Sequence, residues 1–507
     1  METRLKTGLT LGATLFLFAA QAQIHAMPAH TSGEIIVKYR EASIEALLSN
    51  QGSATTPAFV LRMSQSKKLK LHKAFPEFHI YSFQVPETKN VEEVAEELKN
   101  DPNIEFSEPN FLLETDRFSL SAFSLESLSS NSFGVLELKP ETQAEPILVG
   151  VVDTGIDYTH PLLQNRIWTN TKEIGANGID DDGNGYIDDI RGWNFADGTN
   201  DPFDDNSHGT HVAGIISGVS SSLDLSGEVD TKSNFKLVPL KFLDADGSGT
   251  TLDAISAISY GLQIGVKVFN NSWGGGGFSM ALHDVITQTY KKGVLMVVAA
   301  GNETQDLEKS PIYPASFEHP NLISVAATTS LGSLAWFSNY GKASVDLGAP
   351  GVSIYSTLPG GKYGYMSGTS MATPYISRVA MQMMDQNRSL SVFQIKKIMM
   401  ETVTANSTLA SVTVSGGSVN TSQAIAASTL AQPDGVIPLY TPSFLSLVSP
   451  EETQQKEVSM GPSGCGLISS SSPGPWDGGS TISLFLMIFV VILIQVPARL
   501  QLRMSKI

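Results

Sequence analysis

The feature that most constrains the fold is a long alternation of apolar runs and helical segments between residues 147 and 427. The apolar runs have the length and β-branched content of strands, and they include Ile147–Val152, Lys236–Phe242, Val266–Asn270, Val294–Ala299 and Leu322–Ala326. Segments with helical spacing accompany them: His208–Val219, Thr251–Ile264, Ser279–Lys292, Thr369–Gln386 and Ser391–Glu401. Because near-continuously apolar strands must be covered on both faces, this pattern predicts an α/β domain with helices on both sides of a parallel sheet.

A smaller unit precedes this domain. Gly33–Tyr39 alternates as a strand does, and Phe78–Val85 predicts a second strand. Apolar positions recur at helical spacing over Val91–Lys99, and a last strand starts at Ile104 and ends near Phe111. These elements predict a small α+β domain, followed by a Ser-rich linker at residues 116–132.

Both chain ends carry signals of export. Basic residues, an apolar run over Leu9–Ala20 and small residues at Ala22 and Ala26 predict a secretory signal peptide over residues 1–26, with an uncleaved anchor as the alternative. Residues 431–480 have the Ser/Pro/Gly-rich composition of a linker. The apolar segment 481–498, followed by the basic tail 499–507, predicts a membrane helix with a cytoplasmic end, the alternative being a buried C-terminal helix. We therefore expect an exported protein that is anchored at the cell envelope or released after tail processing.

Charge and cysteine content narrow the function further. The formal net charge of -17 argues against a nucleic-acid partner, since phosphate binding needs a basic surface. Cys465 is the single cysteine, so an intramolecular disulfide is excluded. The stability of an exported chain must then depend on packing and on bound metal.

Three residues have little meaning alone but predict a chemistry together. Asp153 ends an apolar run, His208 opens a Gly-rich helical segment, and Ser370 opens another helix. Acyl transfer needs a hydroxyl nucleophile, an imidazole base and a carboxylate that orients the imidazole. It also needs donors for the developing oxyanion, for which the Ser370 backbone N–H and the Asn302 side chain are candidates.

The segments around these four residues resemble the signature segments of the subtilisin-like serine peptidases (subtilases), over roughly residues 130 to 430. The resemblance implies a subtilisin-like fold over 133–430 and a monomeric serine endopeptidase with Asp153, His208 and Ser370 as the triad. Asn302 would be the oxyanion-hole side chain, and His211 would pack structurally. Inactive scaffolds of this family lose a triad residue, and none is lost here; a transpeptidase would need an insertion that shields the acyl-enzyme from water, and none is evident.

The resemblance also implies where protein or peptide substrates bind. Ser272, Trp273 and Gly274 match the family segment that binds a peptide backbone as an added strand. That segment and Ala300–Gly301 would line the primary specificity pocket. Glu303 either favours a basic substrate residue or faces solvent, and we expect broad specificity.

An acidic loop predicts a structural calcium ion. Oxygen donors alternate from position 180 onward and acids recur at the end of the segment, so the candidate ligands are Asp180, Asp182, Asn184, Tyr186, Asp188 and Asp189. Arg191 stands where an EF-hand needs Glu, which excludes a plain EF-hand. Many subtilases carry calcium in this region, and the alternative is a solvated acidic loop.

The segment 27–115 resembles the inhibitory propeptide of the family, notably at its end, Ile104–Asn110. The implication is an intramolecular inhibitor that occupies the active-site cleft and is then removed by the enzyme itself. The alternative is a permanent accessory domain. The C-terminal tail resembles the tripartite sorting signals of some Gram-negative bacteria, with Gly464–Gly466 as the motif.

Overall fold

The computed structural model describes residues 28–41, 60, 65–115, 144–219, 230, 232–275, 277–440 and 442. Several predicted segments lie outside the described residues: the signal peptide 1–26, the Ser-rich linker 116–132, the linker 431–480 from residue 443 onward, the apolar segment 481–498, and the tail 499–507. Cys465 lies outside them too. Within the described ranges, no helix is both long and apolar enough to cross a membrane.

The described residues build one nine-stranded sheet. Its strands are β5 (Ile147–Asp153), β6 (Trp193–Asn194), β7 (Phe235–Lys241), β9 (Val268–Asn271), β11 (Leu295–Ala299), β12 (Leu322–Thr328), β13 (Leu347–Pro350), β16 (Thr404–Ala405) and β17 (Gly417–Ser418). They lie in the order β16-β17-β13-β12-β11-β9-β5-β7-β6, and every pair is parallel except β16 with β17. The predicted parallel sheet is confirmed.

Helices cover both faces of this sheet. Their bounds are α2 (His208–Ile216), α3 (Thr251–Ile264), α4 (Met280–Lys291), α5 (Thr369–Gln386), α6 (Val392–Glu401) and α7 (Thr421–Leu430), while α1 (Val91–Lys99) belongs to the smaller unit. Strand β5 illustrates the layering: Leu148 and Val152 pack in one core with α3 and α4, and Val149 and Val151 pack in a second core with α2 and α5. Alternate side chains point to opposite faces of a strand, so a strand between two helical layers must be apolar throughout.

In its described residues, the smaller unit is an antiparallel sheet with helix α1 packed on it. Strands β1 (His30–Tyr39), β2 (Lys70–Phe75), β3 (Ile80–Gln84) and β4 (Ile104–Thr115) lie in the order β4-β1-β3-β2. Helix α1 packs its apolar face on this sheet in a core of its own. The predicted α+β character of this unit is confirmed.

Strand β4 departs from the prediction, because it continues four residues past Phe111 to Thr115. Its last residues pair with β8 (Ser248–Thr250) and with β10 (Trp273–Gly274) of the large unit. The extension is built by contacts with residues more than a hundred positions away, so no local pattern could predict it. A separate hairpin joins β14 (Ile354–Leu358) and β15 (Lys362–Met366).

Candidate active site

Asp153 and His208 meet at the carboxyl edge of the central sheet. Asp153 is the last residue of β5 and His208 is the first residue of α2. The Nδ1 atom of His208 lies 2.7 Å from Oδ1 of Asp153, which also accepts a hydrogen bond from the backbone N–H of Thr154 at 2.8 Å. A carboxylate at Nδ1 favours the tautomer that carries its proton on Nδ1, so Nε2 is the basic nitrogen.

Ser370 lies in the first turn of helix α5, and its side chain is buried. Its Oγ donates to the carbonyl of Ser272 at 3.2 Å, and the Oγ of Ser272 donates to the carbonyl of Ser370 at 2.9 Å. Ser272 follows β9 directly, and β9 is the neighbour of β5 in the sheet. The nucleophile candidate therefore lies at the same sheet edge as Asp153.

Asn302 is held at this edge by the start of α5. It follows β11, the strand on the other side of β9, and its Oδ1 accepts from the backbone N–H of Thr369 at 2.9 Å and from the Thr369 hydroxyl at 3.1 Å. With Oδ1 fixed in this way, Nδ2 is the donor group of the amide. Fixed donors near a nucleophile are what an oxyanion hole requires.

His211 lies one turn after His208 but in a different environment. It is fully buried, and its Nε2 lies 3.0 Å from the carbonyl of Ile354 and 3.2 Å from that of Gly364. Burial, with a further contribution from His208, lowers the pKa of His211 to about 3. The buried imidazole, with Nε2 between two carbonyls, ties α2 to the β14–β15 hairpin.

The predicted substrate segment is already paired with a strand of the same chain. Trp273 of β10 pairs with Thr115 of β4, and Gly274 pairs with Glu114. On the other side, β4 pairs with β8, and the N–H of Thr115 donates to the carbonyl of Gly247 at 2.8 Å. The end of β4 is thus sandwiched between two strands of the large unit, next to Ser272.

Side chains of this strand alternate between buried and exposed. Leu113 and Thr115 are buried against the large unit, while Leu112 and Glu114 are exposed. A Cβ on Gly247 would lie 2.6 Å from the Thr115 hydroxyl, so a residue with a side chain at 247 would crowd the strand.

The second predicted wall, Ala300–Gly301, is a rigid stretch of backbone. Gly301 donates its N–H to the Thr369 hydroxyl at 3.1 Å, and the carbonyl of Ala300 accepts from Asn339 Nδ2 at 2.9 Å. The same amide donates to the carboxylate of Glu303 at 2.6 Å. The Glu303 side chain is therefore attached to Asn339.

Part of the predicted calcium loop converges on a carboxylate that the sequence pattern missed. Oxygen atoms of Glu173, Asp180 and Asp182 all lie within 4.8 Å of one another. Glu173 also accepts hydrogen bonds from the backbone N–H groups of Asp181, Asp182 and Asp188 at 2.9, 3.0 and 3.1 Å. Glu173 stands seven positions before Asp180 in the sequence, and no spacing rule marks it.

The other predicted ligands lie around this cluster with partners of their own: Asn184, Tyr186, Asp188 and Asp189. Asp188 accepts from the backbone N–H groups of residues 177 and 178, and Asp189 accepts from the Tyr260 hydroxyl at 2.5 Å. The Asn184 side chain contacts two of these residues: its Nδ2 donates to Asp189 at 3.0 Å, and its Oδ1 accepts from the N–H of Tyr186 at 2.8 Å. Burial raises the pKa of Asp189.

Comparison with known proteins identifies the family. Residues 145–423 match the family model of the subtilases, and residues 19–110 match the fervidolysin N-terminal prodomain. The chain belongs to the subtilase family. As a subtilase it is a serine endopeptidase, and its smaller unit is a prodomain.

Two named relatives agree with this assignment. The thermophilic serine proteinase of Bacillus sp. (strain AK1) is 31% identical over 72% of this chain and 81% of its own length. Subtilisin-like protease 1 of Plasmodium falciparum is 35% identical over 53% of this chain and 41% of its own length. A solved structure, the crystal structure of a cold adapted subtilisin-like serine proteinase, covers 56% of this chain and 93% of its own, with 31% identity and a TM-score of 0.43.

Sequence reasoning also missed a buried carboxylate of this subtilase beside the candidate triad. Asp204 accepts from the hydroxyl of Thr154 at 2.8 Å and from the N–H and hydroxyl of Thr210 at 2.8 and 2.5 Å. The hydroxyl of Thr154 in turn accepts from the N–H of Gly209 at 2.9 Å. Asp204 thereby joins the residue after Asp153 to the first turn of α2, and its place four positions before His208 is the signal that could have revealed it.

Proposed function

We propose that this subtilase is made as an exported zymogen that hydrolyses peptide bonds through Asp153, His208 and Ser370. The observation that carries the proposal is the pairing of β4 with β10 beside Ser272, whose carbonyl accepts from Ser370. A stretch of the chain's own sequence lies as an added strand, which is how an extended peptide binds to a sheet edge.

The reaction follows from the tautomer of His208 that Asp153 favours, in which Nδ1 carries the proton and Nε2 is basic. His208 Nε2 takes the Ser370 hydroxyl proton as Oγ attacks the scissile carbonyl, and Asp153 stabilises the imidazolium through Nδ1. Asn302 Nδ2 and the Ser370 backbone N–H donate to the oxyanion. Collapse expels the amine, which receives the proton from His208 and leaves an acyl-enzyme. Water then attacks the ester with His208 as base, and Ser370 is regenerated.

The register of β4 leads us to propose the bond that is cut during maturation. Thr115 pairs with Trp273, and the residue before Trp273 is Ser272, which contacts Ser370. Asp116 follows Thr115 in the sequence. If the enzyme reads the strand in this register, the acylated carbonyl is that of Asp116, one residue past the boundary expected from the sequence.

Three arms test the proposal on the full chain. Wild type should cleave casein and release a mature form whose N-terminus, read by Edman degradation, is Arg117. Ser370→Ala should stay uncut and inactive, whereas the exposed Ser389→Ala control should behave as wild type. Uncut, inactive wild type would point to a binding scaffold. A mature N-terminus at Asp116 or Phe118 would refute the register alone.

Calcium is the metal that the acidic cluster suits best. Glu173, Asp180 and Asp182 offer only carboxylate oxygen donors, and calcium prefers oxygen ligands. These three residues would hold the ion, and its contribution there would be structural. Isothermal titration of the folded chain with calcium tests the site, and heat equal to the dilution blank would exclude it.

Export and anchoring complete the proposal. The signal-like residues 1–26 and the apolar segment 481–498 support secretion followed by attachment to the envelope through the tail. Fractionation of cells that express the full chain or a chain ending at residue 480 tests this, because only the full chain should sediment with membranes. Equal sedimentation of the two would refute the anchor.

A further inference from the structure

A single lysine is buried among the described residues, and it lies beside the candidate triad. Lys241 is the last residue of β7, opposite Asp153 in the parallel pair with β5, and its side chain is 1% exposed. Its ammonium donates to the carbonyl of Thr154 at 2.8 Å, to that of Leu243 at 3.0 Å and to Asp205 Oδ1 at 2.7 Å. All three ammonium protons are therefore used.

Stability alone does not account for a lysine at this position. A buried ammonium loses its hydration, and replacing buried ions with apolar residues of similar volume is often neutral or stabilising. Every neighbour of Lys241 along β7 from Leu237 to Leu240 is buried and apolar, so a methionine would suit the strand. The position of its hydrogen-bond acceptors suggests another role.

One of those acceptors, the carbonyl of Thr154, belongs to the turn that carries Asp153, the carboxylate of the candidate triad. Thr154 donates its N–H to Asp153 Oδ1 and its hydroxyl to Asp204, and its carbonyl accepts from Lys241. The carbonyl of Asp153 is held by the N–H groups of Phe242 and Leu243, the two residues after Lys241, at 3.0 and 3.3 Å. The end of β7 thus binds the Asp153–Thr154 turn through backbone and side chain together.

Two buried carboxyl groups lie at this turn, and Lys241 is the buried cation beside them. Asp153 and Asp204 are both buried, and Asp153 Oδ2 has no hydrogen-bond partner among the described residues. His211, whose pKa burial lowers to about 3, interacts with His208, and Asp205, the partner of Lys241, is half-exposed. A buried cation nearby disfavours a second positive charge, that is, protonation of His208.

We propose that Lys241 is a positioning residue that holds the Asp153–Thr154 turn and whose positive charge favours the neutral, basic form of His208. The proposal rests on the triad of the proposed function. Lys241 touches no reacting atom and acts only through Thr154 and through its field.

The test removes the positive charge of Lys241 and its hydrogen bonds in separate variants. Lys241→Gln keeps donors for the two carbonyls but loses the charge, Lys241→Met loses both, and Lys236→Met on the same strand is the control. The pH dependence of kcat/KM is measured for each self-processed enzyme. Loss of a positive charge near His208 makes protonation of its imidazole less unfavourable, so the acid limb of the profile should move to higher pH.

We expect the acid limb of the profile to move to higher pH in both Lys241 variants. We also expect kcat to fall roughly tenfold for Lys241→Gln and further for Lys241→Met, with KM nearly unchanged, because the defect lies in the base and not in substrate binding. Lys236→Met should match wild type. Wild-type rate and an unmoved acid limb in Lys241→Gln would overturn the proposal, whereas inactive wild type would instead refute the triad.

A second measurement does not depend on self-processing. In the Ser370→Ala background, the titration of His208 is followed by the NMR signal of its ring protons. Lys241→Gln should raise its midpoint, and an unchanged midpoint would overturn the electrostatic role. If neither Lys241 variant folds, Lys241 is a structural residue and the proposal falls.

Discussion

Release of the prodomain should depend on pH through one buried carboxyl, Glu108 of β4. Its Oε1 accepts from the Ser279 hydroxyl at 2.7 Å and from the Ala281 N–H at 3.2 Å, and its Oε2 accepts from the Met280 N–H at 2.9 Å. These donors form the N-terminus of helix α4, so Glu108 caps a helix of the large unit. Burial, with help from Asp284, outweighs the three hydrogen bonds and raises the pKa of Glu108 to about 7.

The magnitude and the sign follow from linkage. In the released prodomain Glu108 is in water with its usual pKa of 4.5, so docking takes up a proton between these two values. The stabilisation is fully present below pH 4.5 and is lost as the pH rises through 7. A rise from 4.5 to about 7 corresponds to about 3 kcal/mol, or about a hundredfold in the dissociation constant between pH 4.5 and 8.

Asp284, a carboxyl of helix α4 that contacts Lys38 of the prodomain, titrates in a different pH range. Burial would raise its pKa, but hydrogen bonds from His283 and Lys38 and the Lys38 charge outweigh burial and lower it. Its contribution therefore changes at a lower pH than that of Glu108.

The assay uses the self-cleaved complex. Samples are incubated at pH 5 to 8.5, and aliquots are transferred to one common assay pH to time the appearance of peptidase activity. We expect wild type to release activity markedly faster at pH 8 than at pH 5, Glu108→Gln to show a flat dependence, and the exposed Glu96→Gln control to follow wild type. A Glu108→Gln variant that keeps the wild-type pH dependence would refute the reasoning.

Three further predictions concern the site and the prodomain. Asn302→Leu should lower kcat on a peptide substrate by about 10²- to 10³-fold with little change in KM, since an oxyanion donor acts mainly in the transition state; an unchanged kcat would remove Asn302 from the mechanism. Chelation should lower the thermal midpoint of wild type, measured by calorimetry, but not that of Glu173→Gln, in which the acidic cluster is already incomplete; equal shifts in both would place the calcium elsewhere. Leu113→Ala should weaken prodomain docking by about 2 to 3 kcal/mol, because it empties a buried apolar site; slower self-cleavage on a gel time course is the readout, and wild-type timing would show that Leu113 is not recognised.

Much of the fold was predictable because its determinants are local. Helix α3 was predicted to the residue: Thr250 caps its first turn by accepting from the Asp253 N–H, and Gly265 ends it in the left-handed conformation. The apolar strands predicted a covered parallel sheet because no other arrangement buries both faces of a strand. Asp153, His208 and Ser370 could be named from their order and flanking residues alone.

Other features could not be predicted because they depend on distant contacts. The last four residues of β4 are a strand only because β8 and β10 accept them as a partner. Glu173 lies in the acidic cluster because the folded chain brings it back to Asp180 and Asp182. In the sequence, Lys241 is only one polar residue at the end of an apolar run. Nothing near Glu108 indicates that a helix of the other unit will bury it.

The sequence by itself therefore determined the layers of the molecule and predicted which side chains react, since burial periodicity and short motifs are properties of neighbouring residues. The tertiary structure decided which strand pairs with Trp273 and Gly274 and which buried groups surround the Asp153–Thr154 turn. Those features depend on hydrogen bonds between residues far apart in the chain, which only the folded sheet brings together.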